Sequence, residues 1–174
     1  MILFAIRIHM RLFLFIILLL VGLYSTSIRA QEVRVQANTL ILGCIDNPFF
    51  GVGAGVETGI GDHFGVSFDF NWGVQKDGTS VELRPSVNYY FEMDQLGFFV
   101  GGVLNMIVLT KDDKNIPSDW AGKFYTLGLN LGYKKLLSEK WTLGITIIPH
   151  YNPSEWCPGG SLGFSSQVAL GHRF

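Results

Sequence analysis

The chain has 174 residues, a length for which one domain is the default, and its formal net charge is −1. That near balance excludes a strong electrostatic pull toward nucleic acid, and no nucleic-acid partner is expected. Charged residues are only 16% while Gly and Phe number 21 and 14, which suits a surface that does not all face water.

The N-terminus carries an export pattern. Arg7, His9 and Arg11 precede the apolar run from Leu12 to Tyr24, and "STSIRA" follows. A basic segment, a short apolar run and a terminal Ala30 read as a signal peptide over residues 1–30, with Gln31 the first mature residue. The alternative is an uncleaved anchor, for which the run is short against the span of about 20 residues that a helix needs. In an exported chain the two cysteines, Cys44 and Cys157, read as a disulfide.

After residue 30 the hydrophobic period is two almost throughout. The first stretch, Val33 to Cys44, alternates clearly up to Thr39. Then "FFGVGAGVETGI" sets Phe50, Val52, Ala54, Val56 and Ile60 against Gly51, Gly53, Gly55, Glu57 and Gly59. "FGVSFDFNWGV" sets Phe64, Val66, Phe68, Phe70 and Trp72 against Gly65, Ser67, Asp69, Asn71 and Gly73. "VELRPSVNYYF" sets Val81, Leu83, Val87 and Tyr89 against Glu82, Arg84, Ser86, Asn88 and Tyr90. The stretch Phe98 to Leu109 is apolar in both rows, with Gly101 and Asn105 marking the polar side. "YTLGLNLGYK" and "WTLGITIIPHY" alternate cleanly, as does the terminal "FSSQVALGHRF". Each reads as a strand with two different faces. About eight strands result, each of roughly ten residues, the length of a membrane strand.

The connections alternate between short and long. "GDH", "EMDQ" and "KLLSEK" are short, while Lys111–Gly122 and Asn152–Gly160 are long and carry Trp120 and Trp156. Short turns at one end and long loops at the other are the pattern of an outer-membrane barrel. One row is bulky and the other small or polar, and eight strands enclose room only for packed side chains, so the small row is expected inside. The strand charges Arg34, Glu57, Asp69, Glu82, Arg84, Lys134 and Arg173 fall in that row. Inside, opposite signs can pair; on lipid each basic residue would cost about 2–4 kcal/mol at mid-depth. Aromatic residues gather toward both strand ends. Phe64, Tyr89, Tyr90, Phe91, Phe98, Tyr133, Trp141 and Phe174 form one expected girdle, and Phe49, Phe50, Trp72, Phe124, Tyr125 and Tyr151 belong to the other. Pro85 and Pro149 fall within strands, where each removes a ladder donor; a bulge is expected at Pro85, and a strand end or a bulge at Pro149.

With its export segment, alternating strands and terminal "QVALGHRF", the chain resembles small bacterial outer-membrane proteins of the eight-stranded type, such as the OmpA barrel and OmpX. The resemblance implies an all-β, eight-stranded antiparallel up-and-down transmembrane barrel over residues 31–174. It implies the outer membrane of a Gram-negative-type cell, with outer-membrane lipid as the surroundings. It also implies that Phe174, with Leu170 and Val168 on the same face, is the signal read by the barrel-assembly machinery. His172 departs from that signal, where an apolar or aromatic residue is usual.

Cys44 ends the first strand and Cys157 lies in the loop before the last, both at the long-loop end, and closure makes the first and last strands neighbours. The expected role is structural or surface-interacting, with a plugged polar interior. The loops carrying Trp120 and Trp156 would meet an extracellular or envelope partner. An alternative is a lipid-modifying enzyme, for which His150 is the first candidate and His63, His172 and Ser118 the others. A second alternative is a soluble lipocalin-like binder with Phe68, Phe70 and Leu129 lining an apolar cavity. No cofactor motif and no metal-ligand spacing is visible, and Asp112, Asp113 and Asp119 read as a solvated loop rather than a calcium site.

Overall fold

The computed structural model describes residues 28–42, 48–75, 78–111, 122–151 and 162–174. The expected signal peptide up to residue 27 lies outside them, as do Cys44, Cys157, Ser118, Asp112, Asp113, Asp119, Trp120 and Trp156. The described residues form eight strands: β1 (Ile28–Leu42), β2 (Phe49–Ile60), β3 (Phe64–Gln75), β4 (Gly78–Tyr90), β5 (Gly97–Lys111), β6 (Gly122–Leu136), β7 (Trp141–Tyr151) and β8 (Leu162–Arg173). A 3₁₀ turn, Met93–Gln95, lies between β4 and β5. β1 thus starts before Gln31, and its Ile28 pairs with Ile60.

Each strand pairs antiparallel with its sequence neighbours, and β1 pairs with β8, so the sheet closes into a barrel. Closure removes the unpaired edges that an open sheet would present. The side-chain period of two then gives every strand an inner and an outer row.

The bulky row faces out. Val35, Val52, Leu127, Leu129 and Ile145 are 60%, 61%, 61%, 55% and 53% exposed. The small and polar row faces in, and Arg34, Asp69, Asn71, Glu82 and Arg84 are all buried. Phe68 and Phe70 are also exposed outside, so the lumen is the reverse of an apolar ligand cavity.

Two expectations are corrected by the register. Neither proline makes a bulge. On the β4–β5 ladder Leu83 pairs with Met106 and Ser86 with Val103, so no residue is inserted across Pro85. On β6–β7, Gly128 pairs with His150 and Leu131 with Ile147, again without a shift across Pro149. The ladder simply skips the pairs at each proline, because a proline has no N–H to donate. Both prolines remain paired on their other side, Pro85 with Phe68 and Pro149 with Phe164.

Candidate functional site: a polar lumen within an apolar wall

The inner row of β1 to β4 builds the centre of the lumen. Arg34 donates from Nη1 to Glu57 Oε2 at 2.5 Å and from Nη2 to Asp69 Oδ1 at 2.9 Å. Lys134, across the barrel on β6, donates to the same Glu57 Oε2 at 2.8 Å and lies 3.6 Å from Glu32 Oε2. Tyr90 Oη donates to Glu57 Oε1 at 2.6 Å. Lys134 Nζ also sits 5.0 Å from the Tyr90 ring centroid, a cation–π distance. Glu57 is therefore the common acceptor of two cations and a phenol, which offsets the cost of burying its charge.

Nearer the long-loop end a closed circuit of hydrogen bonds crosses the lumen. Gln36 Nε2 donates to Asn71 Oδ1 at 2.7 Å, and Asn71 Nδ2 donates to Glu82 Oε2 at 3.2 Å. Arg84 donates to Glu82 Oε2 at 2.6 Å and to Gln167 Oε1 at 2.7 Å. Gln167 Nε2 closes the circuit on Gln36 Oε1 at 2.6 Å. Four strands, β1, β3, β4 and β8, are tied together by five side chains. Networks of this kind are worth most where they are dry and complete.

Glycine makes the crossings possible. Gly55 stands between Arg34 and Asp69 in register, Gly53 between Gln36 and Asn71, and Gly101 between Asn88 and Asn130. A Cβ at each would run into Asp69 Oδ1, Asn71 Oδ1 or Asn88 Oδ1 respectively. The long side chains lie flat over the intervening strand because it offers no side chain of its own.

The short-turn mouth is stoppered. Gln95 is buried, and its Nε2 donates to Gly61 O at 3.0 Å. Asp94 and Gln95 hold φ of 60° and 54°, a left-handed conformation uncommon outside glycine. Arg173 Nη2 holds this turn by donating to Asp94 O at 2.9 Å.

Of the seven charges expected inside, the structure brings six into the two networks. Arg173 stands apart, half-buried at the mouth. Glu32, Tyr90, Gln36, Asn71 and Gln167 belong to the networks and were not singled out from sequence. Their place in the inner row was the available signal. Tyr90 is fully buried and Phe49 is 3% exposed, so both point inward and neither is in a girdle. Phe99 also points in, its ring 4.9 Å from that of Tyr90, and it covers Gly132. The lumen is polar but has apolar members, with Leu40, Phe49, Ile107 and Leu109 buried toward the long-loop end.

The short-turn girdle otherwise stands outward. Phe64, Tyr89, Phe91, Phe98, Tyr133, Trp141 and Phe174 are exposed, and edge contacts join Phe64 to Tyr89 and Phe98 to Tyr133. Phe50, Trp72, Tyr125 and Tyr151 are exposed at the other end. His172 lies between Trp141 and Phe174, at 5.0 and 4.9 Å between ring centroids. His63 stacks on Tyr89. Val168 and Leu170 face outward with Phe174. Thr39 and Ser166, on the outer face of the β1–β8 seam, share a hydrogen bond of 2.8 Å.

His150 is 2% exposed and lies inside, with Ser165 Oγ 3.4 Å from its Nε2. Ser165 is itself fully buried, and the imidazole lies against Gly163, where a Cβ would meet it. That placement gives the ring a packing role rather than contact with lipid. Leu42 of β1 pairs with Gly163 of β8, so the strand ends nearest the two cysteines are neighbours.

Two solved structures share the fold. Neisserial surface protein A is 14% identical with a TM-score of 0.55, covering 83% of this chain and 94% of that one. The N-terminal β-barrel domain of Pseudomonas aeruginosa OprF is 14% identical with a TM-score of 0.50, covering 82% and 97%. The outer membrane protein OprG from Pseudomonas aeruginosa matches at 13% identity and a TM-score of 0.48, covering 86% and 98%. No curated protein matches the chain. Residues 14–153 match the model of the family described as protein of unknown function (DUF3575), and the chain belongs to that family.

Proposed function

We propose that the protein is an integral barrel of the outer membrane of a Gram-negative-type cell, with a structural or surface-interaction role and a closed lumen. The observation that carries this reading is the outer face. It is a continuous apolar wall with aromatic side chains at both ends. Exposed apolar patches on water-soluble monomers rarely exceed a few hundred Å². In lipid the same wall is the favourable surface, and closure leaves no backbone edge unsatisfied. The lumen, crossed by two side-chain networks and stoppered by Gln95, supports a plug rather than a channel.

On this reading the partners are outer-membrane lipid and, during biogenesis, the barrel-assembly machinery. The long loops, with Trp120 and Trp156, meet an extracellular or envelope protein. Cys44 and Cys157 are proposed as a disulfide pair at that end.

The test is cell fractionation with an unheated-versus-boiled gel in detergent. An outer-membrane location and a mobility shift on boiling support a closed membrane barrel. Release as a soluble periplasmic protein with no shift overturns the reading. A steady conductance in planar bilayers would overturn the plug alone.

A further inference from the structure

The lumen contains a small cavity of about 20 Å³ between the Glu57 cluster and the circuit through Glu82. Arg34, Asp69, Arg84, Asn88, Asn130 and Gln167 are among its lining residues. Two of these carry a buried polar atom without a protein partner, Arg84 Nε and Asn130 Oδ1. Arg84 is 1% exposed and Asn130 5%. Arg84 donates to Gln167 from one terminal nitrogen and to Glu82 from the other, which leaves Nε as its one nitrogen without a partner. Asn130 spends its Nδ2 on Asn88 Oδ1 at 2.9 Å, which leaves its carbonyl oxygen as a free acceptor.

The ligand must therefore accept from one side and donate to the other. An anion would satisfy Arg84 but face Asn130 Oδ1 and the Asp69 carboxylate. A metal cation would satisfy the oxygens but face two guanidinium groups. A water does both, and a cavity holds one from about 10–15 Å³ upward. We propose that this cavity is a binding site for a single fixed water that accepts from Arg84 Nε–H and donates to Asn130 Oδ1. The water ties the Asn130–Asn88 pair to the circuit through Arg84 and Gln167.

The test is a water-selective NOE and ROE measurement on the ¹⁵N-labelled barrel in detergent micelles, with Arg84→Lys identifying the Arg84 Nε–H resonance. The expected result is a slowly exchanging Nε–H with a cross-peak of bound-water sign, lost in Asn130→Leu, which keeps the side-chain shape but removes the water's acceptor. A slowly exchanging Nε–H without a water cross-peak overturns the proposal. So does an Nε–H in fast exchange with bulk solvent, or a cross-peak that persists in a folded Asn130→Leu barrel. If that variant does not fold, the wild-type spectrum decides.

Discussion

Arg34 on β1 reaches Asp69 on β3 by passing over Gly55 on β2, with Nη2 to Oδ1 at 2.9 Å and Nε to the same oxygen at 3.2 Å. A neighbour-to-neighbour contact would need no glycine. A contact that skips a strand does, because a Cβ at position 55 would occupy the space of Asp69 Oδ1.

Gly55→Ala should therefore separate a buried ion pair although it adds one methyl group. Stranding a buried charge costs about 3–5 kcal/mol. Urea midpoints of the refolded barrel in micelles should fall accordingly. Gly102→Ala is the control, since nothing lies within 4 Å of its added carbon. Equal midpoints for the two variants would show that Asp69 moves aside without cost.

Glu57 should be the most sensitive carboxylate of the lumen. It accepts from Arg34, Lys134 and Tyr90. Glu57→Gln keeps the shape and removes the charge, so two cations lose their shared counterion. The expected loss is about 3–5 kcal/mol. Adding Lys134→Met should recover part of it, because the second cation is then no longer stranded, and a double-mutant cycle measures the coupling. Purely additive effects would mean that Lys134 is held by Glu32 instead.

Period two was enough to assign the strands and separate their two rows, and the small size of the row holding Arg34, Glu57, Asp69, Glu82, Arg84 and Lys134 set it inside an eight-stranded barrel. The period works because a one-residue slip would turn every side chain to the wrong face. It does not say which inner residues meet. That depends on the stagger of the closed sheet and on side-chain reach, so the Lys134–Glu57 contact across the lumen was not legible. The glycine row of "GVGAG" was a usable signal, since small residues flanked by polar rows mark crossings. Strand-end position suggests a girdle for Tyr90 and Phe49, but both share the inner row and point into the lumen. Arg173 shares the inner row but emerges at the mouth, where the turn carbonyl of Asp94 is nearer solvent. Pro85 was legible as a break, but its form was not, since a skipped ladder pair and a bulge lose the same donor.

An arginine placed in the outer wall separates the membrane from the water reading. Leu129 is 55% exposed on β6. In a bilayer Leu129→Arg should cost about 2–4 kcal/mol near mid-depth. In water the same change would be near neutral, as surface substitutions usually are. The measurement is the urea midpoint of folding into lipid vesicles. An unchanged midpoint argues that lipid does not cover this face.

The terminal aromatic should matter for assembly more than for the finished barrel. Phe174 is 78% exposed, and its ring contact is with His172 on the outer surface. Truncating it removes little buried area, so stability after refolding in detergent should change by under about 1 kcal/mol. In cells, if the terminus is read as the resemblance implies, Phe174→Ala should lower the amount of heat-modifiable protein in the outer membrane several-fold. His172→Phe should raise it, since that position then gains the aromatic residue the signal favours. The two readouts are taken on the same variants: midpoint in vitro, and folded fraction in envelopes. A loss of equal size in both would assign Phe174 to the stability of the girdle with Trp141 and His172, and the assembly role would fall.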